Sequence, residues 1–248
     1  MTRVPLEICV DTIEGARTAA DNGADRIELC AALSEGGLTP SFGLMTAAAD
    51  LPVPVYAMIR PRAGDFRFSD AEKDLILQDI AAVKRAGLKG IVIGAVDDHA
   101  RLDRDFLADA LSQAELPATL HRAIDTVADF DLAIETAITL GFERVLTSGQ
   151  AHSAACGLEQ LARAVDLAAG RMSIMAGSGV TAENAVGLLK QASVSELHAS
   201  CSVRIKARTP DLPEARLGFV PEAGIRKTDG NLVRALRLAM NRFEEAAA

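Results

Sequence analysis

The sequence predicts a closed (β/α)8 barrel, a TIM barrel that runs as one domain through residues 1–248. Three observations predict it: eight short β-branched runs, helical segments between them, and a length of 248 residues, close to the ~250 typical of this barrel. The runs fall at 4–9, 25–29, 53–59, 90–94, 118–122, 143–147, 172–176 and 195–199. Their starts lie 21 to 37 residues apart, the spacing that βα units require. Eight alternations call for a parallel sheet with right-handed crossovers. The rival, an open doubly wound sheet, is disfavoured because no GxGxxG follows the first run.

The helical segments carry their own signals. Residues 70–86 place Leu75, Ile76, Ile80 and Val83 on one stripe, with Ser69 or Asp70 to cap the start and Gly87 to end it. The pattern recurs at 129–140 before Gly141, and at 181–190 with Thr181 as the cap. A last helix, 229–246, would close the ring. Three excursions exceed their neighbours in length: 30–40, 60–69 and 201–228. All three follow strand C-termini, so all belong at one face, and 201–228 is expected as a long loop over that face.

Composition narrows the function. Apolar residues make up 49% and charged residues 24% of the chain, an ordinary globular balance. A net charge of −8 with no Trp and one Tyr argues against nucleic-acid binding, which needs a basic footprint or stacking platforms. No apolar run reaches the ~18 residues that span a bilayer, so no membrane partner is expected. MTRVPLEICV has no signal-peptide pattern. The four cysteines, Cys9, Cys30, Cys156 and Cys201, are therefore expected as reduced thiols in the cytoplasm.

Strand parity then points charges into the barrel. Leu6, Ile8 and Val10 share one face, so Glu7 and Cys9 share the other; Ile27 and Leu29 likewise oppose Glu28 and Cys30. The apolar faces suit the helix layer, which leaves LEIC (6–9) and IELC (27–30) aiming Glu and Cys inward. Parity adds Arg60, His121, Glu196 and His198. Such interiors are normally branched and apolar, and buried charges must be paired or wet. Either these groups only pair with one another, or they form a site. In the second case Glu7, Glu28, His121 and His198 are candidate acids and bases. Arg60, Arg62 and the turn Gly177-Ser178-Gly179 before a helix are candidate anion binders.

The stretches 7–44, including ADRIELC and GGLTPS, 55–72 with IRPRAGDF, 79–96, TLHRAID (119–125), GFERVLTSGQ (141–150) and IMAGSGVTAENA (174–185) resemble the CutC family of copper-homeostasis proteins. The resemblance implies a single barrel, a cytoplasmic location and a homodimer. It also implies Cu(I) ligands at Cys9 and Cys30, consistent with the preference of soft Cu(I) for thiolates. No organic cofactor is implied. Two functions follow: Cu(I) binding at the C-terminal mouth of the barrel, or an enzyme using Glu/His acid–base chemistry on a small anionic or phosphorylated metabolite.

Overall fold

The computed structural model describes residues 3–205, 213–220 and 224–246. Strands β1 (Leu6–Val10), β2 (Arg26–Leu29), β3 (Val55–Met58), β4 (Gly90–Ile93), β5 (Ala118–Leu120), β6 (Arg144–Thr147), β7 (Ser173–Ala176) and β8 (Glu196–Ala199) form a closed parallel barrel. Each pairs with its sequence neighbour, and β8 pairs back to β1 through Glu7↔His198. The helices α1 (Ile13–Asp21), α2 (Phe42–Ala48), α3 (Asp70–Ala86), α4 (Arg104–Ala114), α5 (Phe130–Leu140), α6 (Leu158–Ala168) and α7 (Ala185–Gln191) lie between successive strands. The predicted (β/α)8 barrel is the fold.

The outward residues of the strands build the main core with the helices. Leu6, Ile8, Ile27 and Leu29 are fully buried there beside Ile76, Ile80 and Val83 of α3. Each large aliphatic side chain so buried contributes roughly 1.5–3 kcal/mol. Helix ends follow local chemistry. Ser69 and Glu72 form a reciprocal capping box on α3, and Gly87 ends it with φ 78°, a left-handed conformation that glycine adopts without strain. Asp129 caps α5 and Gly141 closes it.

Two expected boundaries change. The helix placed at 181–190 begins at Ala185, because the Thr181 N–H donates to Asn184 Oδ1 at 2.9 Å and that turn delays the helix. The segment 201–228, expected as a loop, contains β9 (Ser202–Ile205), α8 (Pro213–Arg216) and β10 (Ile225–Thr228), with β9 and β10 paired antiparallel. Its residues 206–212 and 221–223 lie outside the described residues. Helix α9 (Gly230–Ala246) then packs against α1 and α7. No helix among the described residues is long and apolar enough to cross a membrane.

Candidate metal and ligand site

Register decides which inward residues meet. Glu7 lies level with Arg26 on one side and His198 on the other, while Cys9 lies level with Glu28. Cys30 is therefore two residues further along its strand than the partner of Cys9. The two thiols are staggered, not paired across the strands.

The floor of the interior is an ion network. Arg26 donates Nε–H to Glu7 and Nη2–H to Glu196. Arg144 donates to Glu196 at 3.2 Å and to Thr119 Oγ1 at 3.2 Å. Both guanidinium groups lie over the Tyr56 ring, 5.4 and 5.1 Å from its centre. Burial alone would raise the Glu7 pKa, yet Arg26 and His198 outweigh it and hold the carboxyl at about 2. Glu7 is fully buried and does not line the mouth cavity. Glu7 therefore belongs to the ion network below the cavity floor and meets the mouth only through His198.

Above this floor, the mouth encloses a cavity of about 530 Å³ lined by Cys9, Glu28, Arg60, His121, Ser178 and His198 among others. One donor atom each from Cys9, Glu28 and His198 lies within 4.8 Å of the other two. His198 Nδ1 is 2.8 Å from Glu7 Oε1, and ionised Glu7 can only accept, so Nδ1 carries a proton. That leaves Nε2 facing Glu28 Oε2 at 3.7 Å. A carboxylate behind one imidazole nitrogen is the support that orients metal-binding histidines. Burial opposes the His198 charge, but Glu28, Cys9 and Glu7 together raise its pKa well above the ordinary value. Glu28 moves the other way from Glu7: burial dominates over His198 and pushes its carboxyl up to about 7.

Cys30 is outside this trio. It is fully buried, packs with Tyr56, Met58 and Val92, and donates Sγ–H to Glu28 Oε2 at 3.6 Å. Burial first and then the Glu28 charge raise its thiol pKa well above normal, which disfavours the thiolate that a metal needs.

The five anion candidates separate. Arg60 is buried, with Nη1 on the carbonyls of Glu35 and Gly37 at 2.9 and 3.2 Å and Nη2 on that of Gly64 at 2.7 Å. Its Nε–H is left without a partner. Arg62 is corrected: it pairs with Glu72 and Asp65, stacks on Phe68 and does not line the cavity. Ser178 and Gly179 line the cavity, whereas Gly177 lies behind its wall. A Cβ on Gly177 would come within 2.4 Å of Leu146 Cδ1, so this glycine serves close packing.

His121 follows β5 at the start of a 3-10 turn, and its Nδ1 accepts the Ala123 N–H at 3.2 Å. Nε2 must then carry the proton. Burial, helped by the charge of Arg60, lowers the pKa to about 3. The side chain thus presents a neutral imidazole with a donor at Nε2 near neutral pH. Gly94 makes room for it, since a Cβ there would sit 2.6 Å from Nδ1. Sequence reasoning missed Arg26, Arg144 and Phe66. Parity held the signal for the arginines, because Arg26 shares its face with Glu28 and Arg144 with Leu146.

Among the described residues, three buried side-chain atoms lack a hydrogen-bond partner: Glu28 Oε1, Arg60 Nε and His121 Nε2. All three residues line this one cavity. Orphaned buried polar atoms are costly, which makes the cavity that all three line the candidate ligand site.

Comparison with known proteins agrees with the fold and adds a family. The model of the CutC family matches residues 4–203. A family protein CutC from Rhizobium meliloti (strain 1021) is 47% identical over 243 residues, covering 97% of this chain and 98% of the relative. One from Caulobacter vibrioides (strain NA1000 / CB15N) is 48% identical over 220 residues, covering 88% and 90%. A solved structure from Streptococcus agalactiae, described as a copper homeostasis protein CutC, superposes with a TM-score of 0.76 at 28% identity. It covers 79% of this chain and 98% of that one. With the barrel, the Glu-and-Cys-lined mouth and these relatives together, the chain belongs to the CutC family.

Proposed function

We propose that the chain handles copper by taking one Cu(I) ion at the barrel mouth, on Cys9 Sγ and His198 Nε2, with Glu28 beside them. The observation that supports this reading is the mutual approach of those three donor groups within 4.8 Å. Thiolate and imidazole suit a soft cation, and the ion would displace the proton that the raised pKa of His198 keeps on Nε2. Glu7 supports the reading from behind, since its bond to His198 Nδ1 leaves Nε2 turned to the mouth. Cys30, named by the family resemblance as a second ligand, has the supporting place: its Sγ–H holds Glu28. The reading places the chain in the cytoplasm, where unpaired thiols such as these four stay reduced.

Titration with Cu(I) against a competing chelator, without oxygen, tests it. One equivalent per chain is expected in the wild type, lost in Cys9→Ser and retained in Cys30→Ser. Loss in Cys30→Ser with retention in Cys9→Ser would assign the ion to the other thiol. Glu7→Gln is expected to weaken binding by about 10–100-fold, the usual consequence of removing the carboxylate behind a metal-bound histidine. An unchanged affinity would mean that Glu7 serves the ion network alone.

A further inference from the structure

The metal-side residues come from β8, β1 and β2, but two of the three orphaned atoms lie elsewhere. Arg60 follows β3, next to β2 in the closed ring, and His121 follows β5, across the ring from β1, so the two form a wall running from β3 to β5. Phe66 touches both: the guanidinium of Arg60 is 5.0 Å from its ring centre and the His121 ring 4.9 Å. Arg60 is 5% exposed and His121 3%. A bond to the Ala123 N–H fixes the imidazole so that Nε2 presents a proton, while three loop carbonyls fix the guanidinium so that Nε–H is left over. Both are donors, and neither has an acceptor.

We propose that this wall binds a small organic oxyanion, a carboxylate or a phosphate ester, through Arg60 Nε–H and His121 Nε2–H. The rest of the lining fits an anion. Arg122 and Arg226 also line the cavity, whereas among the described residues Glu28 is its one carboxylate, in a chain whose net charge is −8. Ser178, Gly179 and Val180 line the side built from β7. Among the described residues none of their N–H groups meets a protein acceptor, so a ligand reaching across would find donors at both ends. The cavity, about 530 Å³, is of the size that holds a metabolite and exceeds what one metal ion needs. The inference goes beyond the copper reading and does not depend on it.

Isothermal titration with two probes, inorganic phosphate and malonate, tests it on metal-free full-length protein. At least one probe is expected to bind once per chain. His121→Phe, which keeps a ring but removes the donor, should weaken it by about tenfold or more, as loss of a hydrogen bond to a charged group does. His121→Gln, which restores an N–H at the same distance along the side chain, should recover most of the affinity. Binding of the probe by protein free of Cu(I) separates this site from the copper site. A preference between the probes distinguishes carboxylate from phosphate ligands. On the wild type itself, the His121 Nε2–H proton resonance should shift as the probe saturates. Absence of binding by both probes at tens of millimolar, equal binding by His121→Phe, or a resonance that does not move would each overturn the proposal.

Discussion

Arg26→Met is expected to lower the free energy of unfolding by about 3–5 kcal/mol, the usual loss when one partner of a buried ion pair is removed. That is a large share of the roughly 5–15 kcal/mol available to a folded domain. The size follows from what is left behind. Arg26 serves two carboxylates at once, Glu7 and Glu196, and both are buried, with Glu7 fully so. Methionine fills similar volume without donors, so Glu7 keeps only His198 and Glu196 keeps only Arg144. Urea unfolding would show the loss as a lower midpoint. The double variant Arg26→Met/Glu7→Gln removes one of the stranded charges and should be more stable than Arg26→Met alone. The exposed pair Arg163–Asp131 provides the contrast, because Arg163→Met removes a pair that water already screens. If Arg26→Met cost no more than Arg163→Met, the floor of the barrel would be wet and the network would hold nothing together.

Much of this architecture could be read in the chain because it depends on short-range patterns. Strand parity alone turned Glu7, Cys9, Glu28 and Cys30 inward, and Ser69, Gly87 and Gly141 marked helix ends with side chains or conformations that act within four residues. Register could not be read this way. Ring closure sets the offset that levels Cys9 with Glu28 instead of Cys30, and closure is a property of all eight strands. The partners of Arg60 were hidden for a related reason: they are backbone carbonyls at Glu35, Gly37 and Gly64, and carbonyls have no residue-type signature. Arg26 and Arg144 were legible by parity but sit at strand starts, where arginine ordinarily reaches solvent. The β9–β10 ribbon joins segments 19 residues apart, far beyond the two- to five-residue turns by which hairpins are recognised.

His121 offers the second large effect, in the dependence of stability on pH. Its folded pKa of about 3 lies below the ordinary 6.5, so between those values the unfolded chain binds the proton that the folded chain refuses. Stability from this group is therefore complete above about pH 6.5 and is lost progressively as pH falls toward 3, to an extent on the order of 5 kcal/mol. Glu28 works in the opposite sense. Its pKa, raised from 4.5 to about 7, makes the folded chain hold the extra proton, so its contribution falls as pH rises through that window. The two slopes oppose each other between about 4.5 and 6.5, which flattens the wild-type curve there. Below 4.5 the Glu28 contribution no longer changes, and the losses from His121 and from Glu7, held at about 2, act together. His121→Gln has no titrating group at this position, so its stability relative to wild type should improve steadily from pH 6.5 downward. Urea midpoints at pH 7, about 5.5 and about 4 would measure it. A difference that stays constant with pH would mean that His121 accepts its second proton in the folded chain. Nε2–H would then cease to be a neutral donor, and the wall between β3 and β5 would carry an imidazolium charge that the buried guanidinium of Arg60 opposes.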